Sequence, residues 1–171
     1  MEKRKIMLVD DEEFVLNSLV RSLKREGYEL VTFINPLEAL EHLKRERVDV
    51  IVSDHRMPDM TGIEFLIEAK KRFPDIVRIL LTGYADMEVA VRAVNEGKLF
   101  RFLTKPWDDN ELKLTLVNAT QLSALLERNR LLLDEVKRQE SYIRSLEVQH
   151  PGIGEVRRDR SGAIIIDDVD L

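Results

Sequence analysis

With 171 residues, 44% of them hydrophobic and 35% charged, the chain can bury one well-cored domain plus an appendage, and two full domains would be a squeeze. A net charge of -5, with no basic patch interleaved with aromatics, gives no general attraction to nucleic acid. The absence of cysteine excludes a disulfide framework or thiolate site, and the opening MEKRKIMLVDDEE holds far too short an apolar run for a signal peptide or membrane span, which implies a cytoplasmic chain.

Ile6 to Val9 is an apolar run that meets Asp10, Asp11, Glu12 and Glu13 abruptly, which predicts a first buried strand with carboxylates at its end. Val15, Leu16, Leu19 and Leu23 then recur at helical spacing, with the acidic residues at the positive end of the helix dipole and Gly27 as a stop. Leu30 to Phe33 reads as a second strand, after which Asn35 caps and Pro36 starts a helix carrying Leu37, Leu40 and Leu43. Val50, Ile51 and Val52, bounded by charge, read as a strand buried on both faces of a parallel sheet, and Asp54 sits where it ends. Ile63, Leu66, Ile67 and Lys70 keep the helical period up to Phe73-Pro74. Ile76 to Leu81 predicts a fourth strand ending in Thr82-Gly83, and Met87 to Glu96 a fourth helix stopped by Gly97. Phe100 to Leu103 predicts a fifth strand ending in Thr104-Lys105-Pro106-Trp107. Asp108 and Asp109 then open a helix with no evident stop before His150-Pro151-Gly152.

Strands alternating with helices in this way predict a flavodoxin-like three-layer α/β/α sandwich on a five-stranded parallel sheet. The expected strand order is 2-1-3-4-5, with right-handed crossovers. In that order the first and third strands are neighbours at the switch point, so Asp10, Asp11 and Asp54 converge, with Thr82 and Lys105 facing them from the ends of strands four and five.

The acidic pair Asp10-Asp11, the DxxMPxxxG run from Asp54 to Gly62, Thr82 followed by a small residue, and Lys105-Pro106 together resemble the receiver domain of two-component response regulators over roughly residues 4 to 120. The resemblance implies that Asp54 accepts a phosphoryl group from a sensor histidine kinase or a small phosphodonor. It implies further that Asp11 and Asp54 bind Mg2+ directly, that Asp10 acts largely through water, and that the backbone carbonyl of Arg56 adds a ligand. The chemistry suits these residue types: clustered carboxylates repel one another unless a cation binds, and phosphoryl transfer needs positioning and charge neutralisation. Lys105 adds positive charge, and the Thr82 hydroxyl can donate to a phosphoryl oxygen. Phe102 stands where the family places an aromatic switch, and its other reading is a packed core aromatic. Pro106 is a candidate cis-proline on the same resemblance. Arg56 and Tyr84 flank the pocket and are large enough to hinder an attacking water.

This reading makes the chain a phosphoryl-accepting signalling domain rather than an enzyme, apart from self-dephosphorylation. Three rivals stand beside it. A Mg2+-dependent aspartyl phosphatase of the haloacid dehalogenase type needs a second acid two residues after the nucleophile, where this chain has Arg56. A non-phosphorylated dimerising scaffold would suit a chain that lacked one of the acids or the lysine. A nucleotide binder would need a Gly-rich loop after the first strand, and none is present.

The last helix carries a second signal. Leu112, Leu116 and Ala119 suffice to cover the sheet, so the receiver is expected to span 1–120 and a coiled-coil helix 121–149. A heptad places Leu122, Asn129, Val136 and Ile143 at a, and Leu125, Leu132, Gln139 and Leu146 at d. A lone Asn at an a position favours a parallel two-stranded homodimer; the other reading is a helix folded back on its own domain. Residues 150–171 suggest a short hairpin around Asp159 to Gly162. The chain reads equally as a complete small regulator or as the front of a longer protein. The run from Thr82 to Leu112 resembles receivers that precede diverse outputs, cyclic-di-nucleotide phosphodiesterases among them, and so names no output.

Overall fold

The computed structural model describes residues 3–150. Five parallel strands alternate with five helices: β1 (Lys5–Val9), α1 (Glu13–Leu23), β2 (Glu29–Phe33), α2 (Pro36–Leu43), β3 (Val50–Asp54), α3 (Gly62–Arg72), β4 (Val77–Thr82), α4 (Met87–Asn95), β5 (Arg101–Thr104) and α5 (Asp109–Gln149). A 3-10 turn, Tyr84–Asp86, leads into α4. The strand order is β2-β1-β3-β4-β5, as expected. The hairpin expected around Asp159 to Gly162 lies outside the described residues.

Successive strand residues point to opposite faces, so a sheet covered on both sides requires an unbroken apolar run. Met7 and Val9 of β1, Ile51 of β3 and Leu80 of β4 pack into one core with Ala39, Leu40, Phe65, Leu66, Ala90 and Ala93, which belong to α2, α3 and α4. Ile6, Leu8, Val50, Val52, Ile79 and Leu81 face the other way, onto Leu16 and Leu19 of α1 and Leu112, Leu116 and Ala119 of α5. All of β3 is buried. The two edge strands are not, since β2 and β5 each expose residues.

Helix starts follow local chemistry. Asn35 accepts from the N–H groups of Leu37 and Glu38, Thr61 and Glu64 form a reciprocal capping box, and Asp108 accepts from Asn110 and Glu111. Each satisfies donors that the first helical turn leaves unpaired.

The packing of α5 on the core continues past 120. Thr120 and Ser123 are buried, and Leu122 and Leu126 pack partly buried against the core on the α1 side. Val20, Tyr28 and Leu30 pack partly buried against the same core, and the Tyr28 hydroxyl is hydrogen-bonded to Thr120. Glu127 then pairs with Arg4 at 3.6 Å and with Arg47, while Arg4 also holds Asp49 at 3.0 Å. The first compact unit accordingly runs to Arg128 and the second begins at Asn129. Of the heptad positions, Leu122 and Leu125 thus fall in the first unit, Leu122 packed partly buried against its core and Leu125 exposed. In the second unit Leu132, Val136 and Ile143 are exposed. Among the described residues, no helix is long and apolar enough to cross a membrane.

Candidate functional site

The register of the central strands brings the acidic residues together. β1 pairs with β3 through Val9 and Ser53, and β3 with β4 through Asp54 and Leu81. Asp10 therefore leaves the end of β1 beside the end of β3. Asp10, Asp11 and Asp54 each offer a carboxylate oxygen, all within 4.8 Å of one another; Asp10 and Asp54 are buried and Asp11 is exposed. One side of the pocket is thereby sealed and the other open.

Lys105 completes the cluster from the end of β5. Its Nζ lies 2.7 Å from Asp10 Oδ2 and 2.6 Å from Asp54 Oδ1. Its own N–H donates to the Thr82 carbonyl at 2.8 Å, which fixes the β5 end against the β4 end. Lys105-Pro106 is a cis peptide bond. Burial pushes the Asp10 carboxyl up from its ordinary pKa, and the Lys105 ammonium and the Glu12 N–H only partly offset this. For Lys105 burial pulls down, but the two carboxylates together prevail and raise it. The two directions are compatible, because Asp10 has no solvent contact whereas Lys105 keeps some.

The loop after β3 is held tightly. Arg56 N–H donates to Asp54 Oδ2 at 2.8 Å, and Met57 is buried in the core below. Gly62 N–H returns to the His55 carbonyl at 2.8 Å. A Cβ at Gly62 would lie 1.9 Å from the Asp54 carbonyl oxygen, so the loop closes only around a residue without a side chain. The Gly62 position was legible in the DxxMPxxxG run, but its reason was not.

Thr82 is fully buried, and its hydroxyl donates to the Gly83 carbonyl at 3.3 Å. Phe102 sits beside Leu80 in the β4–β5 register and packs partly buried against the core on the α3 and α4 side. Trp107 packs partly buried over the opposite core, with its indole N–H donating to Asp109 at 3.2 Å, and so covers the start of α5. Tyr84 is exposed. The Arg56 side chain turns to Asp86, with Nε to Oδ2 at 2.6 Å and Nη2 to Oδ1 at 2.9 Å. Nothing in the sequence pattern marks Asp86.

The three carboxylates, with their hard oxygens and open side, form an acidic pocket of the kind in which receiver domains bind Mg2+. Comparison with known proteins agrees. The sequence model of the response regulator receiver domain matches residues 6–117. The hydrogenase transcriptional regulatory protein HoxA of Cupriavidus necator is 38% identical over 120 residues, covering 70% of this chain and 25% of that one. The chain spans about a quarter of the length of the curated relatives it matches. Among solved structures, an uncharacterized protein from Neptuniibacter caesariensis is 46% identical with a TM-score of 0.73, over 75% of this chain and 96% of that one. The signal receiver domain of an HD domain-containing protein from Pseudomonas fluorescens is 36% identical with a TM-score of 0.68, over 72% of this chain and 98% of that one. On the family match, the strand order and the pocket at the strand ends, this chain belongs to the response regulator receiver domains of two-component systems.

Proposed function

We propose that Asp54 is the phosphoacceptor of a signalling switch served by a sensor histidine kinase. The observation that carries this reading is the Lys105 ammonium held between Asp54 and Asp10 inside an acidic pocket. An Asp54 carboxylate oxygen forms a bond to phosphorus, and the bond from phosphorus to the donor's nitrogen or oxygen breaks, with its electron pair leaving on the donor. Asp10, Asp11, Asp54 and the Arg56 carbonyl would hold Mg2+, which when bound neutralises charge on the phosphoryl oxygens. Lys105 orients and neutralises the same charge from the protein side. Thr82 exchanges its bond to the Gly83 carbonyl for one to a phosphoryl oxygen, and Phe102 fills the space this vacates. Intact mass after treatment with acetyl phosphate and Mg2+ is expected to rise by one phosphoryl group. Undiminished labelling of Asp54→Ala, or of wild type in chelator, would overturn the assignment.

The output side of the proposal is a parallel homodimer through the heptads of α5. Leu125, Leu132, Val136 and Ile143 are exposed along the a and d positions, and Asn129 supplies the polar a position that selects a two-stranded register. Leu146 ends the seam, while Leu122 contributes to the receiver core instead. Phosphorylation then acts on the α4, β5 and α5 face and changes how two receivers are spaced. Sedimentation at micromolar concentration should give a dimer, and the double variant Leu132→Asp, Val136→Asp a monomer. A wild-type monomer would refute the dimer without touching the phosphoacceptor.

A further inference from the structure

The forked ion pair between Arg56 and Asp86 has no part in the chemistry above, yet it joins the two loops that matter most. Arg56 follows Asp54 by two residues and its N–H already contacts the Asp54 carboxylate. Asp86 ends the 3-10 turn after β4 and directly precedes α4. The fork is a planar guanidinium matched to both oxygens of one carboxylate, the strong form of such a pair. The Asp86 side chain is 17% exposed and that of Arg56 71%, so the carboxylate is the fixed member and the guanidinium the movable one.

The helix that follows is thinly attached. Ala90 and Ala93 are the only buried side chains of α4, and Val89 and Val91 are exposed. Its far end is secured separately: Lys70 donates to the Gly97 carbonyl at 2.8 Å, and the buried Arg78 donates to the Lys98 carbonyl at 3.1 Å. At the near end, Arg56 to Asp86 is an ion pair that ties the helix to the loop after β3.

A phosphoryl group on Asp54 would bring about two negative charges next to Arg56, and one guanidinium cannot fork to both acceptors at once. We propose that Asp86 is a positioning residue for the phosphorylation site: it holds the Arg56 guanidinium on the α4 side while Asp54 is unmodified and yields it to the phosphoryl oxygens afterwards. The exchange unties the first turn of α4. It also brings a cation and its bulk over the acyl phosphate, where it hinders water. The inference rests on Asp54 being the phosphoacceptor, and it concerns an ion-pair exchange, with no further covalent step.

The test uses the full chain and four proteins: wild type, Asp86→Asn, Arg56→Ala, and Glu88→Gln as a control that removes an acid from the same turn without touching Arg56. Amide hydrogen exchange over residues 84–95 is read without any phosphodonor. Asp86→Asn and Arg56→Ala are both expected to speed exchange there by about threefold, as suits a solvent-screened pair, and Glu88→Gln to leave it at the wild-type rate. Labelled wild type should show the same loosening as unlabelled Asp86→Asn, and Asp86→Asn should lose its phosphoryl group about threefold more slowly than wild type. Wild-type exchange rates in Asp86→Asn, or unchanged exchange in labelled wild type, would overturn the latch. If wild type takes no label at all, the phosphoacceptor assignment fails instead, and the exchange rates of the unlabelled variants still report on the pair.

Discussion

Replacing Gly62 with alanine is expected to destabilise the domain by about 3 kcal/mol or more, at the upper end of what an overpacked methyl group costs. The new Cβ would stand 1.9 Å from the Asp54 carbonyl oxygen and 2.8 Å from its carbon. Both are backbone atoms of a strand that is buried along its whole length, so neither can step aside as a flexible side chain would. Moving α3 away instead breaks the bond from Gly62 N–H to the His55 carbonyl and disturbs the capping box of Thr61 and Glu64. Gly83 supplies the contrast, because a Cβ there meets nothing within 4 Å. Gly83→Ala should stay within about 0.5 kcal/mol of wild type. Urea unfolding of the two variants decides the matter. A Gly62→Ala protein as stable as Gly83→Ala would show that the close approach at the β3 end is not a constraint on the fold.

Lys105→Ala is expected to separate cation binding from phosphoryl transfer. Without the ammonium, Asp10 and Asp54 lose the contacts at 2.7 and 2.6 Å, and a carboxylate with no solvent contact is left uncompensated. Breaking such a pair costs a few kcal/mol; because the pocket is open at Asp11, a loss of about 2 kcal/mol is expected in the absence of divalent cation. The same deletion removes a positive charge from beside two of the carboxylates that would hold Mg2+, so Mg2+ should bind more tightly and restore much of that stability. Labelling at Asp54 should nevertheless slow by about 100-fold, as when one preorganised electrostatic donor is taken from a reacting centre. Melting with and without Mg2+, together with the rate of labelling, checks all three directions. Weaker Mg2+ binding in the variant would mean that Lys105 supports the cation rather than competing with it.

The parts of this molecule that sequence made legible are those governed by local pattern. β1, β3 and β4 announce themselves because strands covered on both faces are built on apolar runs, here Ile6 to Val9, Val50 to Val52 and Ile79 to Leu81, and Asp10, Asp54 and Thr82 stand out because each lies at the end of such a strand. Strand order then places residues far apart in the chain side by side, and the geometry of Asp10, Asp11, Asp54 and Lys105 follows from it. What stayed hidden depends on distances between elements. Asp86 looks like any acid at a helix start until Arg56 is found across the pocket mouth. Glu127 looks like a solvent-facing heptad residue, yet it meets Arg4 and Arg47 from the other end of the sheet. Thr120 and Ser123 are polar, so the stripe on α5 seems to end at Ala119; in fact Tyr28 and its neighbours give the helix two further turns of contact. Polar residues in a helix are read as exposed by default, and only the surface they meet can say otherwise.

Asp54 alone is expected to carry the phosphoryl group, although carboxylate oxygens of Asp10 and Asp11 lie within 4.8 Å of its own. Reduction of the labelled protein with borohydride, followed by peptide mapping, converts the phosphorylated aspartate to homoserine and so identifies it directly. Homoserine at position 54 alone, formed in Mg2+ and absent in chelator, is the predicted result; homoserine at position 10 or 11, or labelling that ignores the cation, would contradict it.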